Sequence, residues 1–178
     1  MIPKFRAYSK EENEMYYPHN DKNVDWTIDD ETGFIAPLVN LGGGMWGMID
    51  KYELMQSTGL KGYMDDSYDD SEEKDVFKGD IIDIFWEEWP MGYYQENHMV
   101  GVVDLDETDT AWIIRNAKYD FDTPETIPSE IDGISVSMSL PDDEDLEEIF
   151  LHHFKLTSSD ITILGNIYEN PELLEEMR

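Results

Sequence analysis

Phe77-Lys78-Gly79-Asp80-Ile81-Ile82-Asp83-Ile84-Phe85-Trp86 decides the architecture of this chain, because a Gly-Asp turn there feeds an Ile-rich apolar run that reads as a strand. Downstream, Met99 to Leu105 and Ala111 to Arg115 form a hairpin about the polar turn Asp106-Glu107-Thr108-Asp109. Beyond it, Ile134, Val136, Met138 and Leu140 alternate with Ser135, Ser137 and Ser139, the period of a strand with one buried face. Ile161 to Leu164 predicts a last short strand, and Pro171 to Met177 a terminal helical turn.

Upstream, Phe5 to Tyr8, the polar stretch Ser9 to Glu14, and Met15-Tyr16-Tyr17 predict a first hairpin. Phe34 to Leu41 is apolar and breaks at Gly42-Gly43-Gly44, where a turn is expected. Leu54-Met55-Gln56 leads into Ser57-Thr58-Gly59-Leu60-Lys61-Gly62, and the acidic stretch from Asp65 to Asp75 reads as a solvated loop. One segment has a helical period: Leu146, Ile149, Phe150, His153 and Phe154 make one apolar stripe. Asp142, Asp143, Glu144 and Asp145 sit at its start, and His152, His153 and Lys155 at its end. A helix near 142–155 is expected, its charges matched to the helix dipole.

The fold expected is mainly β, a β-rich α+β domain spanning 1–178, with the N-terminal hairpin and loops of 1–74 packed on a barrel core over 75–170. The Gly79-Asp80 turn, the apolar strand, and Val100-Gly101-Val102-Val103 with its tight hairpin resemble the strand order of small SH3-like barrels.

Charge narrows the partners. The chain has 42 Asp and Glu against 12 Lys and Arg, a formal net charge of −30, with a 12% aromatic content that sets it apart from a disordered acidic tail. Residues 79–178 hold 25 acids and 4 bases, and residues 1–78 hold 17 acids and 8 bases. Direct nucleic-acid binding is not expected, and a basic protein partner is. Averaged over the ~9,000 Å² such a mass exposes, the negative charge is about a third as dense as on duplex DNA. A DNA-mimic inhibitor of a host nucleic-acid-binding protein therefore requires carboxylates gathered on one face. Cysteine is absent, which removes disulfides and thiolate metal sites. With no signal-like N-terminus and no membrane span, a soluble cytoplasmic protein is expected.

No constellation specifies a reaction. Glu148 and His152 at i,i+4 on the expected helix are the only hint of a divalent-metal enzyme, and zinc needs three or four ligands. Neither acidic run matches an EF-hand loop, and Gly42-Gly43-Gly44 is followed by Met45-Trp46 rather than the Lys-Ser or Lys-Thr of a phosphate loop. No catalytic residue, cofactor or metal ligand is assigned. Trp86, Trp89, Tyr93 and Tyr94 form an aromatic cluster. Because no Lys or Arg lies between Gly79 and Ile114, they suit core or protein contact rather than base stacking. These four, with Asp142, Asp143 and Asp145, are the candidate protein-contact residues.

Four blocks stand out, Lys4-Phe5-Arg6-Ala7 with Met15-Tyr16-Tyr17, Leu54-Met55-Gln56-Ser57-Thr58-Gly59-Leu60-Lys61, Lys78-Gly79-Asp80-Ile81-Ile82, and Gly165-Asn166-Ile167-Tyr168-Glu169-Asn170-Pro171-Glu172-Leu173-Leu174. Together they resemble the YopX family of phage and prophage proteins, in family order from residue 4 to residue 174. The resemblance implies a turn at Gly-Leu-Lys, and the acidic stretch after it lengthens the family's connection to the Gly-Asp strand. The resemblance implies an SH3-like β domain of phage or prophage origin and no catalytic residue.

Overall fold

The computed structural model describes residues 4–18, 21–28, 31–32, 34–49, 51–64, 72–89, 92, 94–121, 130–131, 134–135 and 148–176. The chain forms two compact units, the first from Met1–Gly59 and Asp75–Lys78, the second from Leu60–Lys74 and Gly79–Arg178. Almost every element is a strand, and among the described residues no helix is long and apolar enough to cross a membrane.

In the first unit β1 (Phe5–Ser9) and β2 (Glu14–Tyr16) make the expected hairpin, with Ala7 opposite Tyr16 and Ser9 opposite Glu14. Strands β3 (Val24–Ile28), β4 (Ile35–Gly42) and β5 (Met45–Met48) form a separate antiparallel sheet. Gly42, Gly43 and Gly44 turn the chain between β4 and β5 at φ of 86°, 62° and 81°, a run of left-handed residues only glycine adopts without strain.

Strand β6 (Glu53–Met64) is continuous through Ser57–Gly62, so the turn expected at Gly-Leu-Lys is not formed. Pairing on both sides replaces it. Phe5 lies opposite Gln56 and Ala7 opposite Leu54, while β7 (Lys74–Phe77) pairs with the other side of β6. There the Thr58 hydroxyl donates to the Val76 carbonyl at 3.0 Å and the Lys78 N–H to the Gln56 carbonyl at 2.9 Å. Arg6 is buried with its guanidinium 4.8 Å above the Phe77 ring and its Nε 3.4 Å from the Met55 sulfur. A planar cation stacks in an apolar setting where a compact ammonium would not.

In the second unit β8 (Asp80–Glu88), β9 (Gln95–Leu105) and β10 (Trp112–Phe121) form an antiparallel meander, as the Gly-Asp run and the hairpin after it predict. Short strands β11 (Glu130–Ile131) and β12 (Ile134–Ser135) pair with each other, and β13 (Glu148–Phe150) pairs with β10. Strand β14 (Ile161–Asn166) runs antiparallel to β8 and parallel to residues 63–64 of β6. Pro171–Glu176 is the short terminal helix α1, with proline at its first position, where the missing N–H costs nothing. Ile82, Ile84, Met99, Val103, Ile114, Ile161 and Ile163 share one buried face of this sheet. Each such side chain contributes about 1.5–3 kcal/mol when removed from water.

The helix expected over 142–155 is corrected where it is described. Residues 148–150 are strand, followed by a single 3-10 turn, Leu151–His153. Ile149 and Phe150 lie opposite Ile114 and Ile113, so β-branched and aromatic neighbours supply an extended partner that outweighs the helical stripe. Residues 142–147, the acidic stretch 65–71, and 136–140 of the alternating segment lie outside the described residues.

Between β9 and β10 the Asp106 carboxylate accepts hydrogen bonds from the Thr108 hydroxyl at 2.6 Å, the Thr110 N–H at 2.7 Å and the Ala111 N–H at 3.0 Å. These donors, Thr108 first, pull its pKa from 3.8 down to about 2. The stabilisation is complete above the ordinary value, shrinks as pH falls toward about 2, and is absent below it. In denaturant melts from about pH 5 to pH 2, Asp106→Asn is expected to lose stability less steeply than the parent chain.

Candidate functional site

Antiparallel pairing of β8 with β9 places Phe85 opposite His98 and Glu87 opposite Glu96, so these four side chains share one face of the hairpin. Asp83, two residues before Phe85, lies on that face too. Its Oδ2 is 2.9 Å from His98 Nδ1, and the Phe85 and His98 rings are 5.2 Å apart. With a carboxylate on Nδ1, neutral His98 carries its proton there and Nε2 is an acceptor.

At the hairpin end, Trp89 is 59% exposed and Tyr94 is 45% exposed, their ring centroids 5.3 Å apart and the planes inclined at 60°. The Tyr94 hydroxyl lies 2.5 Å from Glu96 and 2.7 Å from Glu87. These hydrogen bonds, Glu96 first, hold the phenol well above its ordinary pKa, so it remains a proton donor to the carboxylates. Two glutamates directly opposite each other would otherwise repel, and the shared hydroxyl offsets that repulsion. The local field is anionic, since no Lys or Arg lies between Gly79 and Ile114. The surface thus offers two exposed aromatic rings for van der Waals and cation–π contact beside two carboxylates for guanidinium or ammonium groups.

The expected aromatic cluster is divided. Trp89 and Tyr94 meet, but Trp86 points to the opposite face of β8, half-buried with its ring centroid 5.8 Å from that of Phe154. Tyr93, Asp142, Asp143 and Asp145 lie outside the described residues. Glu148 falls in β13 and His152 in the following 3-10 turn, so the helical i,i+4 geometry that suggested a metal pair is not formed. Among the described residues no group of three or more His, Asp or Glu is placed to hold a metal. The Asp83–His98 pair escaped sequence reasoning, because only the register Phe85↔His98 brings it together. The signal that existed was an acid in the first strand and a histidine in the next.

The blocks that carried the family resemblance are contact partners. In the first unit the Lys4–Ala7 block pairs with Leu54–Gln56. In the second, Gly165 and Asn166 lie opposite Ile81 and Asp80, and the Ile167 N–H donates to the Gly79 carbonyl at 3.0 Å. No curated protein and no solved structure matches the chain. The family model described as YopX protein matches residues 4–131, which holds the first three blocks, whereas the fourth lies beyond it. As that match takes in well over half of the sequence, the chain belongs to the YopX family.

Proposed function

We propose that this chain is a non-enzymatic accessory protein of a phage or prophage, acting in the bacterial cytoplasm by binding a basic protein partner. The reading rests on one observation. Trp89 and Tyr94 stand exposed beside the paired carboxylates Glu87 and Glu96, in a segment with no positive side chain. Exposed aromatics next to fixed anions suit an Arg- or Lys-rich surface, and the net charge of −30 steers such a partner over distance. On this reading the β8–β9–β10 meander is the wall of the SH3-like barrel that the family implies.

Affinity capture from host lysate at low and high salt tests it. A basic protein should be retained at low salt and released as salt rises. Trp89→Ala should weaken retention about tenfold or more, as loss of an aromatic anchor does, and Glu87→Gln with Glu96→Gln should flatten the salt dependence. Capture of no protein at low salt, or capture indifferent to all three substitutions, would count against the reading.

A further inference from the structure

We propose that β5 is a self-association edge, through which two copies of this chain pair antiparallel about a two-fold axis at Gly47. From Thr32 to Ile49 no residue is charged, the longest such run in a chain of net charge −30. That run builds β4 and β5. Among the described residues no strand pairs with the outer side of β5. In the first unit the other edges carry charge, Glu14 in β2 and Asp25 in β3, whereas β5 reads Met-Trp-Gly-Met.

The register specifies the pairing. The Ile49 N–H donates to the Pro37 carbonyl at 3.1 Å, so the main chain of Ile49 faces β4, and by alternation so does that of Gly47. The N–H and C=O groups of Trp46 and Met48 therefore point outward. A two-fold axis at Gly47 sets Trp46 opposite Met48 of the second copy and Met48 opposite its Trp46, completing main-chain hydrogen bonds in both directions. Trp46 is 43% exposed and Met48 is 52% exposed, so indole and thioether become neighbours across the interface. On the other face Leu41 occupies the space a Cβ on Gly47 would take, with its Cδ1 3.0 Å from that position. A second copy fits better than a foreign strand because the edge is its own complement under the axis. Repulsion between the two anionic bodies is relieved when salt shortens the screening length, while the contact itself contains no charge.

Sedimentation at about 50 and 500 mM salt tests the proposal, because self-association is expected to strengthen with salt, the reverse of binding to a basic partner. Met48→Pro removes an outward N–H without touching the β4 ladder, and should weaken the dimer about tenfold or more. Met48→Lys lowers the net negative charge yet should also weaken it, since a charge would enter the apolar contact. Circular dichroism matching the parent confirms that each variant is folded. Gly47→Cys combined with Leu41→Ala, which frees the space for the new side chain, puts the sole thiol of each chain on the axis and should form a disulfide-linked dimer on mild oxidation. A chain that stays monomeric at every salt concentration, a dimer unchanged in both folded Met48 variants, or absence of the cross-link would overturn the proposal. Monomers that instead sediment with phosphatidylcholine vesicles would overturn it in favour of a lipid contact.

Discussion

Gly101→Val is expected to cost about 3 kcal/mol or more, lowering Tm by about 10 °C in a chain of this size. Gly101 lies opposite a bulge in β10, where the register slips between Arg115 and Lys118 and Asn116 adopts φ of 53°. A Cβ at position 101 would collide with Ile114 Cγ2 and stand 3.0 Å from the Arg115 carbonyl oxygen and 3.3 Å from Ala117 Cα. Ile114 is fully buried and two of these atoms are backbone, so neither neighbour yields cheaply. Relief requires the β9–β10 ladder to separate at the bulge. Thermal melts of Gly101→Ala and Gly101→Val should rank in order of added volume, and a valine variant melting with the parent would refute the packing described.

Gly62→Ala is expected to be nearly as damaging, for a different strand pair. A Cβ there would stand 2.7 Å from both Ile161 Cγ2 and the Ile161 carbonyl oxygen, at the place where β6 meets β14 in parallel register. Backbone cannot rotate away as a side-chain end does, so a single methyl group should cost about 2–3 kcal/mol. Gly59, three residues earlier, makes the contrast. Its φ of 83° asks for glycine on conformational grounds, so Gly59→Ala is penalised by backbone strain of about 1–2 kcal/mol. Hydrogen exchange separates the two. Gly62→Ala should expose amides of β14, while Gly59→Ala should act within β6.

Strand content was legible wherever a segment carried its own period. The Ile81–Trp86 run, the hairpin about Asp106, the N-terminal hairpin and the Gly42–Gly44 turn all follow from local chemistry, since β-branched residues suit a pleated surface and glycine or aspartate suits a turn. Reading failed where two local signals competed. Ile149 and Phe150 lie on a helical stripe that acidic residues precede, yet they are strand, because an extended partner in β10 was available. The turn expected near Gly59 failed likewise, since pairing on both sides of β6 outweighs a single glycine.

Local sequence was enough to establish a mainly β chain and an anionic character, because periodicity, turn chemistry and net charge are properties of neighbouring residues and of sums, and four sequence blocks were enough to point to the family. Which side chains meet was left to the folded state. Strand register set Asp83 beside His98 and brought Glu87 to Glu96 and Tyr94, all on one of the two faces of the hairpin. A slip of one residue would have exchanged those faces, and nothing within one strand's sequence specifies its alignment with the next.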